Sequence, residues 1–197
     1  DDAEINVDNG PGTRPLFGHQ LSGVRATQKN GAVPIFNSKK KLTMNVEDKT
    51  TAKNGSYLVG IYINGNGAEA NLKDSEITIK ANGTSSAAIK IGKPGDNIPA
   101  DYKGAVVNST GKMVLDTTAT KDSAAVRLFG TKSRLIADSD TSSGEIKSGS
   151  SAIVFDTMDV LLRGEKYREQ EVRLNNTKTN NFCLIIDSNT EVRCSQL

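Results

Sequence analysis

One short pattern recurs along the chain and constrains its fold more than any other feature. A small residue or two is followed by β-branched or aliphatic residues that alternate with other types. It reads Ser86-Ala87-Ala88-Ile89-Lys90-Ile91, then Ser123-Ala124-Ala125-Val126-Arg127-Leu128, then Ser151-Ala152-Ile153-Val154-Phe155. Looser copies stand at Val59-Gly60-Ile61-Tyr62-Ile63 and Phe182-Cys183-Leu184-Ile185-Ile186. With Ile61, Ile89, Val126, Ile153 and Leu184 taken as equivalent, the steps are 28, 37, 27 and 31 residues. The longest step holds "GKPGDNIPADYKG", a proline- and glycine-rich insertion that reads as a protruding loop.

A second pattern lies between the copies of the first: an apolar residue followed shortly by Asp and then Ser or Thr. It is seen as Leu72 with Asp74-Ser75, Leu115 with Asp116-Thr117, and Ile136 with Asp138-Ser139. Each unit therefore holds two or three strands of four to six residues joined by Gly, Asn, Asp or Ser turns. Outside residues 158–172 there is no long run with apolar residues at i, i+3, i+4 and i+7.

A unit of this size made of short strands cannot bury its own apolar face. Stacking equivalent units buries it, with Ile on Val and Ala on Ala from one unit to the next. The fold expected is all-β: a right-handed parallel β-helix, a solenoid of about five to six coils over residues 42–197. Ala88, Ala125 and Ala152 fit where a coil turns tightly and its interior is narrow. Residues 1–41, with Pro11, Pro15 and Pro34, are expected to form an irregular N-terminal cap. A β-sandwich with coincidentally similar strands is the rival architecture.

Composition agrees with thin aliphatic layers, since aromatic residues make up 5% of the chain and Trp is absent. A net charge of +2 and a longest basic run of Lys39, Lys40 and Lys41 give no sign of a nucleic-acid partner. No apolar stretch approaches the roughly 20 residues needed to span a bilayer, and no Met or basic-then-apolar leader opens the sequence. A mature, processed segment is expected. Cys183 and Cys194, ten residues apart, flank two short strands around Asp187-Ser188-Asn189-Thr190. A disulfide between them is expected, closing a loop worth about 2–3 kcal/mol and pointing to an oxidising compartment. The alternative is two buried thiols.

The stretch "GIYINGNGAEANL" carries Gly65, Gly67 and Ala70 in the G-x-G-x-x-A spacing of a dinucleotide cradle. That site needs a helix after the glycines and an acidic residue closing the next strand. Here "LKDSEITIK" follows in strand-like alternation, and the run Ile89 to Ile91 ends in Gly92. Asn64-Gly65 and Asn66-Gly67 read instead as corner residues with positive φ. No cofactor is expected.

Units such as "AEANLKDSEITIKANGTSSAAIKIG" and "GKMVLDTTATKDSAAVRLFGTKSRLIADSD" resemble the passenger domains of bacterial autotransporters, the pertactin-like β-helices. The resemblance covers roughly residues 42–197 and rests on style and period. It implies export through the outer membrane and a place on the bacterial surface or in the secreted fraction. Members include adhesins, toxins and diffusible factors that act on host receptors, proangiogenic ones among them. The family's translocator barrel would read as aromatic-rich alternating strands of about ten residues. Nothing after residue 156 reads so, and the chain is expected to be the front part of a passenger.

Chemistry is thinly represented. His19 in "PLFGHQL" is the sole histidine, with no Ser tied to it and no G-x-S-x-G. Asp138, Asp140 and Asp116 would suit a calcium or acid–base site of a carbohydrate-active β-helix if they lined one coil edge. Turn chemistry explains the recurring Asp-Ser/Thr pairs without a metal. The N-x-S/T triplets at Asn54, Asn82, Asn108 and Asn175 are turn chemistry in a bacterial protein and glycan acceptors in a eukaryotic secreted one.

Two stretches stand out as binding candidates. "LLRGEKYREQEVRLNN" concentrates Arg163, Lys166, Tyr167, Arg168 and Arg173 in a turn or short helix, balanced by Glu165, Glu169 and Glu171. The insertion around Pro94, Asp96, Pro99 and Tyr102 is the second. The function expected is non-enzymatic binding of a host cell-surface receptor protein or glycan by a monomeric secreted or surface factor, without metal. A polysaccharide lyase or hydrolase and a purely structural stalk are the alternatives.

Overall fold

The computed structural model describes residues 2–8, 20–49, 57–81, 86–92, 101–120, 123–129, 132–138 and 143–148, together with the backbone of strands at 151–155, 171–175, 182–184 and 193–194. Among the described residues every regular element is a β-strand. In chain order these are β1 (Ala3–Asp8), β2 (Gln20–Thr27), β3 (Ile35–Asn37), β4 (Leu42–Glu47), β5 (Tyr57–Asn64), β6 (Glu69–Lys80), β7 (Ala87–Ile91) and β8 (Val106–Thr117). There follow β9 (Ala124–Leu128), β10 (Arg134–Asp138), β11 (Ser143–Ser148), β12 (Ser151–Phe155), β13 (Glu171–Asn175), β14 (Phe182–Leu184) and β15 (Arg193–Cys194).

The strands pair in three parallel ladders. The first runs β1, β4, the second half of β6, the second half of β8, β11 and β14, with Met44 opposite Ile77, Ile77 opposite Leu115 and Leu115 opposite Ile146. The second is a separate five-stranded sheet, β2, β5, β7, β9 and β12. The third joins β3, the first halves of β6 and β8, β10 and β13. Because β6 and β8 take part in two ladders, the first and third form one ten-stranded sheet. From β2 to β14 the chain visits the ladders in one unvarying order: second, third, first. Only β15 runs against its neighbour among the named strands, lying antiparallel to β14.

The repeat read from the sequence is the register of the second ladder. Ile61 stands opposite Ile89, Ile89 opposite Val126, and Val126 opposite Ile153. Leu184 does not continue that series. It lies in β14, opposite Ile146 of the first ladder. All three ladders turn aliphatic residues inward, so an isolated apolar run carries no mark of the ladder it joins. The second sequence pattern divides likewise: Leu72 faces Ser109 and Ile136 faces Asn108 on the third ladder, whereas Leu115 belongs to the first. These three positions are not equivalent.

Inside, the ladders bring Met44, Ile61, Ile63, Ile77, Ile79, Ile89, Ile91, Met113, Leu115, Val126 and Leu128 into one core with essentially no exposure. Each such side chain contributes about 1.5–3 kcal/mol before the entropy of ordering is subtracted. Gly60, Ala88 and Ala125 hold a narrow place on the second ladder, and both alanines are fully buried. A Cβ at Gly60 would meet the Ala88 carbonyl oxygen and the Ile77 Cγ2 at 2.5 Å each. Buried hydroxyls bridge the turns. Thr120 Oγ1 donates to the Ile79 carbonyl at 3.1 Å and accepts from the Ala81 amide at 2.9 Å. Ser86 Oγ accepts from the Leu58 amide at 3.1 Å.

Corners rest on glycine and aspartate. Gly65 and Gly67, at φ 136° and 74°, lie between β5 and β6, so the glycines of the apparent cradle lead into a strand. Within β6 the backbone turns at Asp74, φ 49°, where the register to β8 shifts and two residues, Gly111 (φ 71°) and Lys112, stand against the single Asp74. Asp74 Oδ1 accepts from the Lys112 amide at 2.9 Å, and Asp116 Oδ1 accepts from the Thr118 amide at 2.9 Å. Within residues 1–41, β1 and β2 hold the terminal place in the first and second ladders, and β3 lies beside β6.

Candidate binding face

The sequence candidates fall mostly outside the described residues: Arg163, Lys166, Tyr167, Arg168, Pro94, Asp96 and Pro99, as well as His19 and Asp140. The backbone of Arg173 lies in β13 opposite Ile136. Tyr102 is half-buried just before Gly104, whose carbonyl accepts from the Gly67 amide at 2.8 Å. The neighbouring Lys103 amide donates to Asn66 Oδ1 at 2.7 Å, so the exit of the insertion is docked on the glycine corner. Cys183 and Cys194 are directly opposed in the antiparallel β14–β15 pair. Asp116 stands opposite Lys147 on the first ladder and Asp138 opposite Asn175 on the third, so the two do not share an edge. Among the described residues, no group of three or more His, Cys, Asp or Glu is placed to hold a metal ion.

The outer surface of the second ladder has a distinct chemistry. In β5, β7 and β9 one residue stands between two inward aliphatics: Tyr62 between Ile61 and Ile63, Lys90 between Ile89 and Ile91, Arg127 between Val126 and Leu128. A strand turns alternate residues to opposite faces, so these three lie on the other side of the sheet from the inward aliphatics, Tyr62 buried there and Lys90 and Arg127 half-buried. The register lines them up with Arg25 of β2 in the order Arg25, Tyr62, Lys90, Arg127. Neighbouring members of such a column are about 4.8 Å apart along the ladder.

Aromatic rings hold the cations. The Lys90 ammonium lies 4.6 Å from the centre of the Phe129 ring, 5.0 Å from that of Tyr62 and 5.1 Å from that of Tyr57. The Arg25 guanidinium carbon is 5.6 Å from the Tyr62 ring centre. All four are within the ~6 Å reach of a cation–π contact, and Tyr62, which takes part in two of them, is only 6% exposed. Burial pushes the Tyr57 phenol up to about 12, against the pull of the Arg127 charge. Burial likewise raises Tyr62, opposed by Arg25 and reinforced by a nearby Tyr102, which is itself raised by burial. The phenols therefore stay neutral over the physiological range.

The charges are segregated between sheets. The sequences of β2, β5, β7, β9 and β12 contain Arg25, Lys90 and Arg127 and no Asp or Glu. Ion pairs such as Lys41–Glu76 at 3.7 Å, Lys49–Asp8 at 2.7 Å and Lys147–Glu145 at 2.9 Å lie on or beside the ten-stranded sheet. On that sheet the third ladder also carries an amide ladder. Asn71 donates to Asn37 Oδ1 at 2.9 Å, and Asn108 donates to Asn71 Oδ1 at 2.8 Å.

Neither the cationic column nor the amide ladder was singled out from the sequence. The signal for the column lay in the repeat itself. Once "GIYI", "AIKI" and "AVRL" are aligned, the residue between the aliphatics is Tyr, Lys and Arg in turn. No protein-family model matches the chain, and neither a curated protein nor a solved structure matches it.

Proposed function

We propose that the chain is a segment of a right-handed parallel β-helix of about five to six coils, of the kind found in autotransporter passengers. Its work is binding a host cell-surface receptor, not catalysis. The observation that supports this best is the unvarying order in which the chain visits three parallel ladders. A strand that returns to its own ladder by way of two others has gone once around an axis. Parallel crossovers of this type are right-handed in nearly all cases. Such a stack fills its interior with aliphatics and presents long outer faces and loops, which suits recognition of a large partner.

The same reading includes a Cys183–Cys194 disulfide. Directly opposed residues of an antiparallel pair have Cα atoms about 4.5–5.5 Å apart, inside the range a disulfide spans. Export to an oxidising compartment would favour it. A mass gain of two hydrogens on reduction is expected, and an unchanged mass would remove the disulfide from the account.

The functional test is addition of the purified protein to mammalian cells, with saturable binding and receptor phosphorylation as readouts. Saturable binding to at least one cell type is expected. Its absence from epithelial and endothelial cells alike would count against the reading.

A further inference from the structure

We propose that Asn30, in the corner between β2 and β3, is a site of self-modification: it cyclises onto the Gly31 amide and is hydrolysed to aspartate and isoaspartate. The reaction needs only water and is independent of any receptor. The dipeptide Asn-Gly occurs six times in the chain, since both residues suit corners with positive φ. Asn9–Gly10, Asn54–Gly55 and Asn82–Gly83 lie outside the described residues, which leaves Asn30–Gly31, Asn64–Gly65 and Asn66–Gly67 to compare. The dipeptides are identical, so the surroundings of each decide its reactivity.

The chemistry is the same at each site. Base in water removes the proton of the glycine amide, and that nitrogen attacks the asparagine Cγ. A new N–C bond closes a five-membered succinimide, the Cγ–Nδ2 bond breaks and ammonia leaves. Water then opens the ring at either carbonyl, giving aspartate or isoaspartate. One water is consumed and one ammonia released, with no oxidant or reductant. The step requires an unbonded glycine amide and a backbone free to rotate until that nitrogen faces Cγ.

Asn30 meets both requirements. Asn30 and Gly31 are exposed, and their φ angles of 54° and 79° are those of a two-residue hairpin turn. The Ala32 amide closes the turn on the Lys29 carbonyl at 3.1 Å, and Gln28 Nε2 reaches the Gly31 carbonyl at 3.4 Å. Among the described residues no hydrogen bond holds the Asn30 side chain or the Gly31 amide. A Cβ built on Gly31 would meet nothing within 4 Å, so the turn has room to rotate. The other two sites are held. The Asn66 amide donates to Gln28 Oε1 at 2.9 Å, Asn66 Oδ1 accepts from the Lys103 amide at 2.7 Å, and the Gly67 amide donates to the Gly104 carbonyl at 2.8 Å. Asn64 ends β5 with its carbonyl accepting from the Gln28 amide at 2.8 Å, and Gly65 is buried against Gln28. Rotation there must break contacts between neighbouring turns of the repeat, whereas rotation at Asn30 opens one exposed corner.

The product places a carboxylate next to Lys29 and lowers the net charge of +2 by one, and isoaspartate also lengthens the main chain of the turn by one methylene. Incubation of the purified protein in mildly alkaline buffer, folded and in urea, tests the proposal, with each site followed by peptide mass spectrometry with fragmentation. Circular dichroism confirms that the urea sample is unfolded. In the folded protein Asn30 should convert at least about tenfold faster than Asn64 or Asn66, which must first open. Its product should separate into two species of one mass, the aspartate and isoaspartate forms. In urea the three rates should come within about threefold of one another, because the protecting contacts are gone. Asn30→Gln, whose side chain would have to close a larger ring, should abolish conversion at that position and leave the Asn64 and Asn66 rates unchanged. Equal rates at the three sites in the folded protein, or conversion at Asn64 or Asn66 ahead of Asn30, would overturn the proposal. A gap of about tenfold that survived in urea would overturn it too, because the fold would then play no part in the selection.

Discussion

Asn108 donates its side-chain amide to Asn71 Oδ1 at 2.8 Å, although 37 residues separate them along the chain. Asn71 passes the pattern on to Asn37 at 2.9 Å, and beyond Asn108 the register meets Ile136, which cannot continue it. Asn71 thus makes two ladder bonds, and Asn37 and Asn108 make one each.

An Asn→Ala change carries the same loss of side-chain volume at all three positions, so the difference between them isolates the bonds. Asn71→Ala should cost about 1–2 kcal/mol, and Asn37→Ala and Asn108→Ala roughly half as much. Urea unfolding of the three variants is the measurement. Equal costs at all three sites would mean that the ladder contributes nothing beyond the single residues.

The chain has four tyrosines and no tryptophan, so phenolate absorbance reports tyrosine titration without interference. Tyr57 has its phenol raised from 10.0 to about 12 in the folded protein, chiefly by burial. Between those values the unfolded chain loses a proton that the folded chain keeps. Stability is therefore full below pH 10 and declines as pH rises through about 12. Spectrophotometric titration should show late-titrating phenols, and Tyr57→Phe should remove the last step. A single transition near the ordinary tyrosine value would contradict the burial of this cluster.

Gly60 has no room for a side chain, since a Cβ would meet backbone oxygen on one side and the Ile77 methyl on the other. Gly60→Ala should destabilise by about 1–3 kcal/mol, the range typical of overpacking a filled core. Chemical denaturation of the variant measures this. A cost below about 0.5 kcal/mol would show that the neighbouring strand yields easily.

The repeat made one ladder legible because its central residues recur in a fixed order, small residue, aliphatic, outward residue, aliphatic. Ile61, Ile89, Val126 and Ile153 could be aligned on that order alone. Leu184 could not, because inward aliphatics look alike on all three ladders. The corner role of Gly65 and Gly67 was readable from the strand pattern that follows them. The amide ladder and the cationic column were hidden because each member comes from a different turn of the repeat. Their chemistry exists only once the register is known. A lysine between two isoleucines says little by itself, but it gains meaning when Arg127 lies opposite it and Tyr62 stands on its other side.

Backbone NMR of the labelled protein tests the central claim most directly, because interstrand proton contacts read the register itself. The account predicts contacts from the Ile61 region to the Ile89 region and from Ile89 to Val126, in parallel geometry, with matching contacts from Met44 to Ile77 and Ile77 to Leu115. Antiparallel contacts joining β5 directly to β6, as in a sandwich of successive hairpins, would contradict it.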